Sequence, residues 1–108
     1  MQKPRVIEIE SSLESYQQEV GGLIEILHLS DDAVLVVNEE GKMIGLPPNR
    51  RYGGDILVGN ILIVGSKGEH LIGLSGDNIR KYTEQFAETE KIDPDEVEMF
   101  IDAWFFGA

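Results

Sequence analysis

Ala33-Val34-Leu35-Val36-Val37 decides the architecture, because five successive apolar and mostly β-branched residues leave a strand no polar face to turn to water. Such a strand belongs at the centre of a sheet, covered on both sides. Upstream, Ser30-Asp31-Asp32 makes a polar corner, and Leu23-Ile24-Glu25-Ile26-Leu27-His28-Leu29 reads as a preceding strand. Downstream, Asn38-Glu39-Glu40-Gly41 reads as a turn and Lys42-Met43-Ile44-Gly45-Leu46 as a returning strand, making residues 33–46 a hairpin.

The same reading extends to both ends of the chain. Val6, Ile7 and Ile9, interleaved with Arg5, Glu8 and Glu10, predict an opening strand. Ser11 and Glu14 stand at capping-box spacing, and Leu13, Tyr16 and Val20 share one helical face before Gly21-Gly22 stops the helix. Asp55 to Val64 is either one bulged strand or two short ones broken at Gly59-Asn60. Gly65-Ser66-Lys67-Gly68 then turns the chain, and Glu69 to Leu74 closes a second hairpin.

Two helices are expected at the end. Ser75 or Asp77 caps the first, with Ile79, Tyr82 and Phe86 as its stripe. Asp93-Pro94-Asp95-Glu96 starts the second, an amphipathic helix over residues 93–106 whose apolar face holds Val97, Phe100, Ile101, Trp104 and Phe105. The expected fold class is α+β: a single mostly antiparallel sheet of about five strands with helices packed on it. The 108 residues are read as one domain, large enough to hold a core without staples.

Composition narrows the chemistry. With 20 acidic against 9 basic residues the formal charge is −11, a field that repels phosphate backbones and argues against direct nucleic-acid binding. There is no cysteine, which removes disulfides and thiolate metal sites and agrees with a reducing, cytoplasmic setting. No apolar run approaches a bilayer span, and the N-terminus reads without a signal-peptide core, so no membrane association is expected.

Catalytic signatures do not emerge. His28 and His70 both fall in predicted strands and outside any spaced ligand cluster, the serines sit in caps and turns, and the glycines fit neither dinucleotide nor phosphate-loop patterns. No catalytic residue, metal or cofactor is assigned. The local exception to the acidic charge is Leu46-Pro47-Pro48-Asn49-Arg50-Arg51-Tyr52-Gly53-Gly54-Asp55, expected as a loop with a rigid entrance and a flexible exit. It would present Asn49, Arg50, Arg51 and Tyr52 together, Arg offering a planar fork of donors to a carboxylate or phosphate and Tyr a stacking surface. The plainer alternative is that both arginines neutralise the domain's own acids.

Leu46-Pro47-Pro48-Asn49-Arg50-Arg51, with Gly54-Asp55-Ile56-Leu57-Val58-Gly59 and Ile61-Leu62-Ile63-Val64-Gly65, resembles the signature of the domain of unknown function 3846 family. Val20-Gly21-Gly22-Leu23-Ile24-Glu25 and Val37-Asn38-Glu39-Glu40-Gly41-Lys42 also resemble its pattern, so the likeness spans roughly residues 6–86. The resemblance implies a small bacterial, phage or plasmid protein often carried on mobile elements. It brings no reaction, cofactor or residue role.

The first functional expectation is therefore a non-enzymatic interaction module whose Pro-Pro-Asn-Arg-Arg loop contacts an anionic small molecule or a protein partner. The second is an acidic mimic of nucleic acid directed at a DNA-binding host protein through Glu84, Glu88, Glu90, Asp95, Glu96, Glu98 and Asp102. A small enzyme ranks third. The aromatic C-terminus adds the expectation of a homodimer with Trp104 or Phe106 near its interface.

Overall fold

The computed structural model describes residues 3–89, 91–93, 96 and 97. Trp104, Phe106 and the rest of the expected C-terminal helix beyond Val97 lie outside the described residues, as do Glu90, Asp95, Glu98 and Asp102 of the acidic set. The order is α1 (Leu13–Val20), β1 (Ile24–Ser30), β2 (Ala33–Asn38), β3 (Pro48–Tyr52), β4 (Asp55–Val58), β5 (Leu62–Lys67), β6 (His70–Ile72) and α2 (Gly76–Gln85). The fold is α+β, and the strands divide into an antiparallel four-stranded sheet, β1-β2-β5-β6, and a separate antiparallel pair, β3-β4.

β2 lies between β1 and β5, as its composition requires. Val36 is fully enclosed and Leu35 is 2 % exposed, and full burial of such side chains contributes roughly 1.5–3 kcal/mol each. On one face of the sheet, Tyr16 and Val20 of α1 pack with Val36, Leu62 and Val64, joined by Ile7 and Ile9. On the other, Leu35 and Val37 meet Leu57 and Tyr52 of the β3-β4 hairpin. The hairpin's remaining apolar side chains, Ile56 and Val58, are covered by Leu46, Ile92 and Val97.

Several expectations are corrected by this arrangement. Val6, Ile7 and Ile9 belong to no strand, although burial alternates along residues 6–10 with Ile7 and Ile9 inward. α1 is capped by Ser12, whose Oγ accepts the Ser15 N–H at 3.2 Å, while Ser11 is spent on the Tyr16 hydroxyl and the Leu71 carbonyl. Lys42 to Leu46 is not a returning strand: residues 39–45 form successive turns whose backbone groups bond locally, Ile44 N–H to Glu40 and Leu46 N–H to Gly41. The hairpin partner of β2 is β1 instead. Strand β5 runs through Lys67, so the turn to β6 is only Gly68-Glu69.

The expected Pro/Arg/Gly loop is itself a hairpin. Pro48 opens β3, where a missing N–H is tolerated, and Arg51 pairs with Ile56 and Tyr52 with Asp55 around Gly53-Gly54. Both glycines have positive φ, 57° and 82°, the backbone that a two-residue hairpin turn requires. Asp55 to Val64 resolves into two strands, and Gly59 at φ 73° breaks them. Ser75 caps α2, accepting the Asn78 N–H at 3.2 Å.

Candidate functional site

β3 carries the four residues singled out by sequence, and the period of the strand separates them. Pairing steps from Pro48–Val58 to Arg50–Leu57, so Asn49 is the extra residue of a bulge. Asn49, Arg50 and Tyr52 line one groove, and Arg51 lines a smaller hollow with Tyr52, Gly53, Gly54 and Glu96, so Tyr52 borders both. Arg50 and Arg51 thus line different hollows, with Tyr52 between them. Arg51 Nη2 bonds Glu96 Oε2 at 2.7 Å, with both side chains near half exposure, an ion pair with the domain's own acid as the plainer reading of the arginines foresaw.

Arg50 is held from two sides. Its Nε donates to Asn49 Oδ1 at 3.3 Å, and Nη1 donates to the Phe86 carbonyl at 3.2 Å. Its guanidinium carbon also lies 5.0 Å from the Phe86 ring centroid, and Phe86 in turn stacks near Tyr82. Asn49 is anchored by its Nδ2, which donates to the Gly59 carbonyl at 2.7 Å. These contacts orient the guanidinium between β3, the Gly59 turn that follows β4 and the end of α2. Tyr52 faces the same groove while its hydroxyl donates to the His28 carbonyl at 2.8 Å, holding β3 against β1.

The groove has a volume of about 880 Å³ and runs between residues 3–9, β5, β3 and α2. Its apolar walls include Leu57, Ile63 and Ile79. Among its described charged lining residues, Lys3, Arg5 and Arg50 are basic and Glu8 and Glu19 acidic, in a chain with more than twice as many acids as bases. Nothing in the sequence placed Lys3 and Arg5 with Arg50, since some 45 positions separate them and only the chain's return over the sheet joins them. Phe86 was visible as a member of the α2 stripe, but not as the platform beneath a guanidinium.

The other expected residues are plain. His28 and His70 are exposed, and among the described residues no group of three or more His, Asp or Glu is placed to hold a metal ion. Glu84 and Glu88 are exposed. Asp32, at the β1–β2 corner, is held below the usual carboxylate range by a hydrogen bond from the Asn78 side chain and a second from Ser30. Because the Tyr82 hydroxyl lies 2.6 Å from the same Ser30 Oγ, this cluster fastens α2 to the sheet beside the groove. No helix among the described residues is long and apolar enough to cross a membrane.

Fold and groove together define a small α+β module with Arg50 at a cleft of mixed polar and apolar lining. The chain belongs to the family described as Domain of unknown function (DUF3846), whose model matches residues 1–87. The match takes in every described lining residue of the groove, from Lys3 to Phe86. No curated protein and no solved structure matches the chain.

Proposed function

We propose that this chain is a non-enzymatic binding module of a bacterial or mobile-element protein, acting in the cytoplasm, and that its groove takes an anionic group at Arg50. Asn49 and Phe86 set the direction of the guanidinium, and Tyr52 walls the cleft. The observation that carries the reading is the local shift of charge balance, with Lys3, Arg5 and Arg50 outnumbering Glu8 and Glu19 along one groove of an otherwise acidic chain. A planar guanidinium beside apolar walls recognises carboxylate or phosphate more strongly than one in open water, because the charge-assisted bond forms where fewer waters compete.

The test uses the full chain, isotopically labelled, titrated with inorganic phosphate and with glutarate as simple anions. A shift of the Arg50 Nε–H resonance that saturates, and the loss of anion binding in Arg50→Ala but not in Arg51→Ala, supports the reading. No response of Arg50 to either anion, or equal binding by both variants, refutes it. An acidic antagonist imitating nucleic acid draws on the exposed Glu84 and Glu88, but Glu96 of that set is engaged by Arg51.

A further inference from the structure

Two segments border the groove with backbone that no sheet ladder takes up. β5 pairs with β2 over Leu62 to Gly65, but β6 covers its other side only from Gly65 to Lys67. The Ser66 N–H donates to the Asp32 carbonyl, so by the alternation of antiparallel pairs Val64 and Leu62 also face β2, and the N–H and C=O of Ile63 point away from it. Among the described residues no strand meets that edge at Ile63. The segment before α1, residues 3–9, lines the same groove as Ile61 to Val64. It has the burial of a strand and no ladder: Ile7 and Ile9 pack against the cluster that holds Leu62 and Val64, while Glu8 is exposed and Val6 is 64 % exposed.

We infer that residues 5–9 are a strap that closes on β5 as a parallel strand and shuts the part of the groove between them, the described form being the open one. Direction and register follow from the anchors. Ser11 Oγ donates to the Leu71 carbonyl, and Leu71 pairs with Ser66, which sets Ser11 level with Ser66. Residues 3–9 lie back along the groove beside Ile61 to Val64, so strap and β5 run the same way, and three residues back on each sets Glu8 level with Ile63. The faces agree, because side-by-side residues of parallel strands point the same way: Ile7 and Ile9 stay with Leu62 and Val64, and Glu8 joins Ile63. In that register the Ile63 N–H donates to the Ile7 carbonyl and the Ile9 N–H to the Ile63 carbonyl. Val6 comes beside Ile61, on the side of the sheet that holds Leu57, so closure also covers an exposed apolar side chain. Paired strands lie about 4.8 Å apart, which leaves room for no third chain or ligand between them. This part of the groove therefore admits a ligand, whatever its charge, only while the strap stands off, and the inference is independent of the anionic-site reading.

Relaxation dispersion of the full chain, isotopically labelled, reads opening and closing on the microsecond-to-millisecond scale. The amides of Ile9 and Ile63 should share one exchange process. Val6→Asp alters a side chain exposed in the open form but sets a charge on the face that closure covers, and should lower the closed population by at least about tenfold; Val6→Ile should keep it. Ile9→Pro, which lacks the donor, should abolish the process at Ile63, while hydrogen exchange of the Val64 amide, bonded to β2, stays as slow as in wild type and shows the sheet intact. Absence of a shared process in wild type overturns the inference, as does a process that survives both Val6→Asp and Ile9→Pro. An Ile63 amide as protected as that of Val64 in wild type and in both variants would show another segment seated on the edge, and would also overturn it.

Discussion

The guanidinium of Arg50 both lies over the Phe86 ring, 5.0 Å from its centroid, and donates to the Phe86 carbonyl at 3.2 Å, so one side chain joins β3 to the end of α2 twice. Arg50→Ala removes a cation–π contact and a hydrogen bond, and should cost about 1–2 kcal/mol in urea unfolding. Arg50→Lys should recover only part, because an ammonium lacks the planar fork. Arg51→Ala should cost under about 1 kcal/mol, since its partner Glu96 is a half-exposed carboxylate. Equal losses at the two positions would show that the stacking contributes nothing.

Asn38 closes the junction between α1 and β2. It is 7 % exposed, its Nδ2 donates to the Val20 carbonyl at 3.1 Å, and its Oδ1 accepts the Glu40 N–H at 2.8 Å. Asn38→Ala leaves two backbone groups without these partners and should cost about 2–3 kcal/mol. Asn38→Asp keeps the acceptor for Glu40, and its deficit should shrink at acid pH, where a protonated carboxyl can donate to Val20. A deficit independent of pH would contradict the assigned bonds.

Asp32 gives the molecule a pH response of known sign. Hydrogen bonds from Asn78 and then Ser30 lower its pKa from the ordinary value of 3.8. A carboxyl with a depressed folded-state pKa contributes stability that is fully present above the unfolded value and is lost as pH falls through the folded one. Melting curves collected from neutral pH to below that range should therefore fall less steeply with acid in Asp32→Asn than in wild type. Parallel acid limbs would remove Asp32 from the tie between α2 and the sheet.

Gly59 ends β4 in a conformation that other residues rarely adopt, φ 73°, and a Cβ there would come within 2.7 Å of Leu46 Cδ1. Gly59→Ala should lose more than about 1 kcal/mol through backbone strain alone. Adding Leu46→Ala relieves the clash but not the strain, while opening the small core against Val58. A double variant as stable as wild type would show that neither effect operates.

Much of the architecture followed from local signals. The unbroken apolar run of β2 and the cap and stripe of α2 each act over a few residues and were visible as such, whereas the glycine pair at the β3–β4 turn was read as the flexible exit of a loop. Alternation and β-branching declare a strand wherever it later pairs, so the α+β class with a mostly antiparallel sheet was legible from sequence alone. The same reasoning failed at Lys42 to Leu46, where apolar residues look like a strand but local turns satisfy their backbone. It also failed at Val6 to Ile9, where strand-like alternation of burial is present without a pairing partner.

The site depended on what sequence does not carry. A strand with a one-residue bulge fixes which of Asn49, Arg50, Arg51 and Tyr52 face the same way, and pairing with β4 creates that bulge. Sequence by itself supplied the basic exception in an acidic chain and the residues that form it. Only tertiary structure turned Arg50 toward Phe86 and Arg51 toward Glu96, brought Lys3 and Arg5 to the groove, and left Ile63 facing it, because these contacts join segments tens of residues apart whose meeting is decided by the packing of the whole sheet.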